Sequence, residues 1–174
     1  YIVIGNVVVY FLSMLSRNMV DGVISGVYTE NTEPYAQIDR PIVAFDRYLG
    51  AHIPMVRADH MQGGRLAAEA LIQHGCKCVL PFGSVEGIPI EATMPFKQKD
   101  AVFERCIRDS GIGYVSYENK LTLEAPPDEL LELLLMQNPR VDGVFASDNI
   151  ACSILRIALR LGLRVPQDLA IVSY

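Results

Sequence analysis

Ser147, Asp148 and Asn149 stand together immediately after the apolar run Val144, Phe145 and Ala146. An ionised carboxylate at such a corner accepts two hydrogen bonds from neighbouring hydroxyls, the chemistry needed to hold a polyol. The competing reading is that Ser147 or Asp148 only caps the helix that follows. Asp46 ends a similar apolar run, PIVAFD, and is read either as a second ligand carboxylate or as a turn residue paired with Arg47. Lys97 and Lys99 lie at the start of a helical pattern and by themselves read as a solvated helix start. His74, Cys76 and Cys78 supply only three metal-ligand groups, and a helix end followed by alternate strand residues explains them without a metal. No sequence signature assembles a nucleophile, a base and an oxyanion donor, so catalysis is not expected, and neither a metal nor a cofactor is assigned.

The elements that position these residues follow from the hydrophobic pattern. Val141–Phe145 reads as a strand buried on both faces, because its apolar run is too short for a helix. Ile150, Ala151, Ile154, Leu155, Ala158 and Leu161 then recur at three- and four-residue spacing, which predicts a helix ended by Gly162. Pro166 punctuates the return to a second apolar run, Leu169–Val172, completing a βαβ unit. In such units ligands lie outside the carboxyl ends of the strands, where residues 147–149 fall.

Taken in order, Tyr1–Ile4 reads as a strand, and Val7–Asn18 is ambiguous because a helix is expected where Val7, Val8 and Val9 favour a strand. Strands are expected at Val20–Ser25, Pro41–Asp46, Met55–Ala58, Cys78–Phe82 and Tyr114–Tyr117. Helices are expected at Arg65–His74, Phe96–Ser110 and Glu129–Gln137, with Gly83–Pro95 as a long loop. Gly63 and Gly64 before a helix have the look of a phosphate-binding turn, but without a G-x-G-x-x-G frame a turn and packing role is preferred. The string V-D-G-V opens a strand at Val20 and again at Val141, either as the trace of two similar halves or by chance. The alternation of strands and helices without hairpin signals predicts an α/β fold with doubly wound parallel sheets.

The chain has 174 residues, 51% of them hydrophobic, enough for a sizeable core. Its net charge of −5 leaves no basic footprint for nucleic acid, so any DNA contact is expected from residues outside this sequence. The longest apolar run, Val7–Leu12, is far short of the roughly 18 residues that cross a bilayer. Cys76, Cys78, Cys106 and Cys152 lack a framework spacing and read as reduced thiols of a cytoplasmic protein. The opening at Tyr1 and the final strand ending at Tyr174 are read as the bounds of a piece of a longer protein.

FASDNIA, the following helix and GLRVPQDLAIVSY together resemble the effector-binding core of LacI-type bacterial transcriptional regulators. That family's pattern is a small residue, Asn or Ser, Asp, two residues and Ala, then a helix and G-x-x-V-P-x-D-[IL]-x-[IV]-[IV]-[GS]-[YF]-D. DHMQGGRLAAEALIQHGC resembles the helix that opens the family's second lobe, with His60 where Asn is common, and VDGVI resembles its V-D-G-[IV]-I strand. The resemblance implies a periplasmic-binding-protein-like architecture of two lobes with a ligand cleft between them, residues 1–58 and 59–174. The first lobe is expected to be incomplete at its start and the second at its end, and a stretch is expected to be missing between Asn6 and Val7. It further implies a small-molecule effector, a sugar or related metabolite, bound by Asp46, Lys99 and Asp148. A homodimer and operator contact through an absent N-terminal helix-turn-helix domain are implied too. Lys99 stands where the family has Arg, which replaces a planar fork with a point charge. The alternative is an extracytoplasmic sugar-binding protein of a transporter, which shares the two-lobed architecture.

Overall fold

The computed structural model describes residues 17, 19–26, 35, 41–82, 90–116 and 127–174, with residues 90–96 described by backbone alone. Two compact units divide the chain, one formed by residues 1–59 with 88–95 and the other by 60–87 with 96–174. The expected strand at Tyr1–Ile4 and nearly all of Val7–Asn18 lie outside the described residues.

In the first unit, β1 (Val23–Ser25), β2 (Ile42–Phe45) and β3 (Met55–Val56) form a parallel sheet in that order. Strand alternation sends Ile42 and Ala44 into a small core with Tyr35, Leu49 and Ile53. On the opposite face Ile24, Phe45 and Val56 remain exposed.

The second unit contains α1 (His60–His74), β4 (Cys78–Pro81) and most of α2 (Ile90–Asp109), followed by β5 (Gly113–Tyr114) and α3 (Asp128–Gln137). Strand β6 (Gly143–Ala146), α4 (Asp148–Arg160) and β7 (Ala170–Ser173) complete it. Its sheet runs β5-β4-β6-β7, every pair parallel, as the uninterrupted strand-helix alternation predicts. Alternation divides the core in two. Val79 and Phe145 pack with Ala67, Ala68 and Leu71 of α1 and Phe103 and Ile107 of α2. Leu80, Val144 and Ala146 point the other way, onto Leu131 of α3 and Ile150, Ile154 and Ile157 of α4. A sheet covered on both faces explains why VFA carries no polar residue.

Several boundaries differ from the sequence reading, among them those of α1, α2 and β6. Helix α1 begins at His60 rather than Arg65, so Gly63 and Gly64 lie inside it and form no turn. Each glycine weakens a helix by about 1 kcal/mol relative to alanine, which propensity alone counts against an earlier start. Both are required by close approach instead, since a Cβ at Gly64 would sit 2.2 Å from the Lys99 carbonyl oxygen of α2. Helix α2 begins at Ile90, which corrects the expected loop over Gly83–Pro95 for residues 90–95. Pro95 reads as a loop residue by propensity, but it removes only one i to i−4 bond from a helix of 20 residues. The strand at residues 141–145 is displaced to Gly143–Ala146, and just before it the Asp142 carboxylate accepts the Lys77 and Cys78 amides.

The helix stops follow the glycines. At Gly75 (φ 89°) the Cys76 amide bonds Leu71 and the Gly75 amide bonds Ile72, and at Gly162 (φ 77°) Leu163 and Gly162 bond Ala158 and Leu159 in the same way. This double closure needs a left-handed residue, which glycine adopts without strain.

Candidate functional site

The carboxyl end of the second unit's sheet collects most of the singled-out polar groups. Ser147 occupies the N-cap position of α4 with extended backbone (φ −67°, ψ 158°), and its side chain makes no capping bond. Its carbonyl accepts the first intrahelical bond, from Ala151 at 2.8 Å. Asp148 is the first helical residue, and Ser147, Asp148 and Asn149 are all exposed. The Asp148 carboxylate has no hydrogen-bond or ion-pair partner among the described residues. It gains from the positive end of the helix, but the capping role proposed for this corner is not one it performs through a side-chain bond.

Lys99 is not on a solvated helix start. It is 6% exposed, whereas Lys97, half a turn away, is exposed. Its ammonium lies 3.3 Å from Asp100 Oδ1, 5.0 Å from the centroid of the Phe145 ring and 5.3 Å from that of Tyr174. A buried ammonium needs compensation, and a carboxylate with two ring faces supplies it. Phe145 is held in turn by Phe103, stacked at 4.2 Å. Tyr174 is held at both ends: its amide bonds the Ala146 carbonyl at 3.1 Å, and its hydroxyl lies 3.1 Å from His60 Nδ1. The His60 and Tyr174 rings meet edge to face with centroids 5.7 Å apart. Lys99 and Asp148 are thus both associated with the carboxyl end of β6.

Asp46 belongs to the first unit and directly follows β2. Its φ of 56° is the one left-handed value among the described non-glycine residues. Aspartate tolerates this region better than most side chains, and such outliers concentrate where a side chain must be aimed. The Arg47 guanidinium donates to the Asp46 backbone carbonyl at 2.7 Å, and the Asp46 amide bonds Val56 at 2.9 Å, which fixes the turn.

His74, Cys76 and Cys78 serve the opposite end of the sheet. His74 Nε2 lies 3.0 Å from the Pro166 carbonyl, and the Cys76 thiol donates to the Asp142 carbonyl at 3.5 Å. Burial, then the Asp142 charge, pushes both the Cys76 and Cys78 thiols up. All four cysteines are free, and no group of three His, Cys, Asp or Glu among the described residues is arranged to hold a metal. None of the described helices is long and apolar enough to cross a membrane.

Sequence reasoning does not single out His60, Phe145 and Tyr174 as neighbours of Lys99. His60 stands out only as a departure from a family asparagine, Phe145 reads as core, and Tyr174 only as the end of the last strand. The available signal is their position at the carboxyl ends of β6 and β7, next to the corner already singled out.

Residues 68–174 match the model of the periplasmic binding protein-like domain. The sucrose operon repressor of Streptococcus mutans is 30% identical over 165 residues, 94% of this chain and 49% of that protein. The ribose operon repressor of Halalkalibacterium halodurans is 28% identical over 165 residues, 94% of this chain and 48% of that protein. The chain therefore spans about half the length of the curated relatives it matches. Among solved structures, a periplasmic binding protein/LacI transcriptional regulator from Alkaliphilus metalliredigens, complexed with D-xylulofuranose, superposes with a TM-score of 0.70 at 24% identity. That match covers 94% of this chain and 60% of the other, and it carries the fold. These relatives bear out the resemblance to LacI-type effector-binding cores, and with more than half of its residues matched the chain belongs to the periplasmic binding protein-like domain family.

Proposed function

We propose that this chain is the effector-sensing part of a DNA-binding transcriptional regulator of LacI type and that it binds a sugar or a related small metabolite. The observation that carries the reading is the exposed Asp148 carboxylate, placed at the carboxyl end of a doubly covered parallel sheet with no side-chain partner among the described residues. A bare carboxylate at that place is suited to a hydroxyl pair. Lys99 and Asp46 supply further contacts, the first as a caged ammonium and the second from a left-handed turn that aims its side chain. The names of the relatives, operon repressors for sucrose and for ribose, support the sugar class. In this reading residues 1–58 and 59–174 are the two lobes and the protein is a cytoplasmic homodimer without catalytic activity. Operator DNA is contacted through a helix-turn-helix domain outside the 174 residues. The effector acts by its different affinity for two conformations, as any such ligand must.

Calorimetric titration of sucrose and D-ribose into the wild-type chain and Asp148→Ala tests this. A charged hydrogen bond to a hydroxyl is worth about 1.5 to 3 kcal/mol, so the substitution should weaken binding about ten- to a hundredfold. If Asp148 serves only the helix, the same change lowers the melting temperature by the equivalent of about 1 kcal/mol and leaves affinity intact. That result would remove Asp148 from the site.

A further inference from the structure

Gly63 does something other than turn the chain. A Cβ built there would lie 2.2 Å from Tyr174 Cε2, 2.8 Å from Cζ and 2.9 Å from Cδ2, so the flank of the Tyr174 ring rests directly on the bare backbone of α1. One residue on, a Cβ at Gly64 would meet the Lys99 carbonyl at 2.2 Å and its Cα at 3.2 Å. The two glycines therefore have different obstacles. The one at Gly63 is a side chain that can swing, and the one at Gly64 is the backbone of α2. Both obstacles belong to a single constellation, because the Tyr174 ring is one of the two over which the Lys99 ammonium sits.

We infer that Gly63, Tyr174 and His60 are positioning residues for Lys99: the bare α1 backbone and the His60 ring fix the Tyr174 ring, and Tyr174 with Phe145 then fixes the direction of the Lys99 ammonium toward the effector. The last step rests on the proposed contact between Lys99 and the effector. The physical need is clear from the residue type. A lysine side chain has four rotatable bonds and a compact charge, so it lacks the fixed fork by which an arginine at this place would orient its own donors. Two ring faces and the Asp100 carboxylate restrict the ammonium from three sides, supplying from outside the order that the side chain lacks. The His60 contact at the Tyr174 hydroxyl prevents the ring from sliding off, and Gly63 leaves the room in which it can lie against α1.

The test uses the whole 174-residue chain and two readouts. The first is ligand-free: ring currents from Phe145 and Tyr174 shift the Lys99 Hε protons upfield, and NMR reads that shift in wild type, Tyr174→Phe, Tyr174→Leu and Gly63→Ala. Tyr174→Phe keeps the ring but loses the His60 contact and should lose part of the shift, while Tyr174→Leu and Gly63→Ala should each lose the Tyr174 share. The double variant Gly63→Ala/Tyr174→Leu should look like Tyr174→Leu alone, because the ring that the new methyl group would displace is already gone; it also folds if Gly63→Ala alone does not. The second readout is calorimetric affinity for sucrose and D-ribose, expected to fall about tenfold in Tyr174→Leu and Gly63→Ala and by a smaller factor in Tyr174→Phe, which loses only the His60 contact. A Gly63→Ala chain with the wild-type Lys99 Hε shift overturns the inference. So does a double variant whose affinity loss is the sum of the two single losses. If neither sugar binds wild type, the proposed sugar class falls, and the Hε shifts alone decide whether the cage exists.

Discussion

The same four residues, V-D-G-V, open β1 and β6, yet the two strands have opposite surroundings. In each the glycine admits a neighbour: a Cβ at Gly22 would meet the Pro41 carbonyl at 3.0 Å, and one at Gly143 would meet Cys76 Sγ at 3.0 Å. Beyond the glycine they part. Val144 and Phe145 are 0% and 1% exposed, whereas Ile24 is 79% exposed. Asp142 accepts the Lys77 amide at 2.8 and 2.9 Å and the Cys78 amide at 2.9 Å, tying the start of β6 to the start of β4. Asp21 is exposed and makes no such bond among the described residues. A local string sets where a strand begins and how close its neighbour lies. What the string is worth depends on what packs around it.

The largest contrast should appear at the residue after the second valine. Phe145→Ala removes a ring that stacks on Phe103 and touches the Lys99 cage, and such truncations cost about 3 to 5 kcal/mol. Ile24→Ala removes a side chain already in water and should stay within about 0.5 kcal/mol. Urea unfolding followed by amide exchange in each unit reads both. Similar losses at the two positions would mean that the β1 face is covered in solution.

A smaller contrast is expected at the aspartates. Asp142→Ala leaves two backbone amides without their carboxylate, a loss of about 2 to 3 kcal/mol, against about 0.5 kcal/mol or less for Asp21→Ala. Asp142→Asn, which keeps one acceptor oxygen, should recover part of the difference. If Asp142→Ala unfolds no earlier than Asp21→Ala, the amides find water at no cost and the staple is not stabilising.

These contrasts also mark what is legible in the sequence. The second unit announces itself because its strands are covered on both faces, so VFA and AIV read as short apolar runs, and the α4 stripe from Ile150 to Ala158 fixes which face meets them. Asp148 is singled out as a candidate because a polar residue straight after such a run has few places to go. The sequence reading starts helix α1 five residues late because Gly63 and Gly64 obey a tertiary demand, the approach of Tyr174 and of α2, that no local propensity contains. The burial of Lys99 is equally hidden: lysine is a surface residue by default, and the two rings that help to make the buried place tolerable lie 46 and 75 positions along the chain from it.

The finest test of the comparison lies at the two glycines, where the obstacles differ in kind. At Gly143 a new methyl would press on Cys76 Sγ at 3.0 Å, Val79 Cγ2 at 3.2 Å and Cys76 Cβ at 3.3 Å, all side-chain atoms of residues that are almost wholly buried. They cannot retreat, so Gly143→Ala should cost about 1 to 3 kcal/mol by overpacking. Because the tightest contact is one sulfur atom, Cys76→Ala should relieve it, and the double variant should be more stable than the two single losses predict. At Gly22 the obstacle is the Pro41 carbonyl, which also accepts the Val23 amide at 3.0 Å. No side-chain substitution removes a carbonyl, but among the described residues β1 is an edge strand of its sheet and can move away with little else disturbed. Gly22→Ala should therefore cost less than about 1 kcal/mol, and its loss should appear as faster exchange of the Val23 amide. Additive losses in the Gly143→Ala/Cys76→Ala pair would show that the sulfur contact is not the reason this strand begins with glycine.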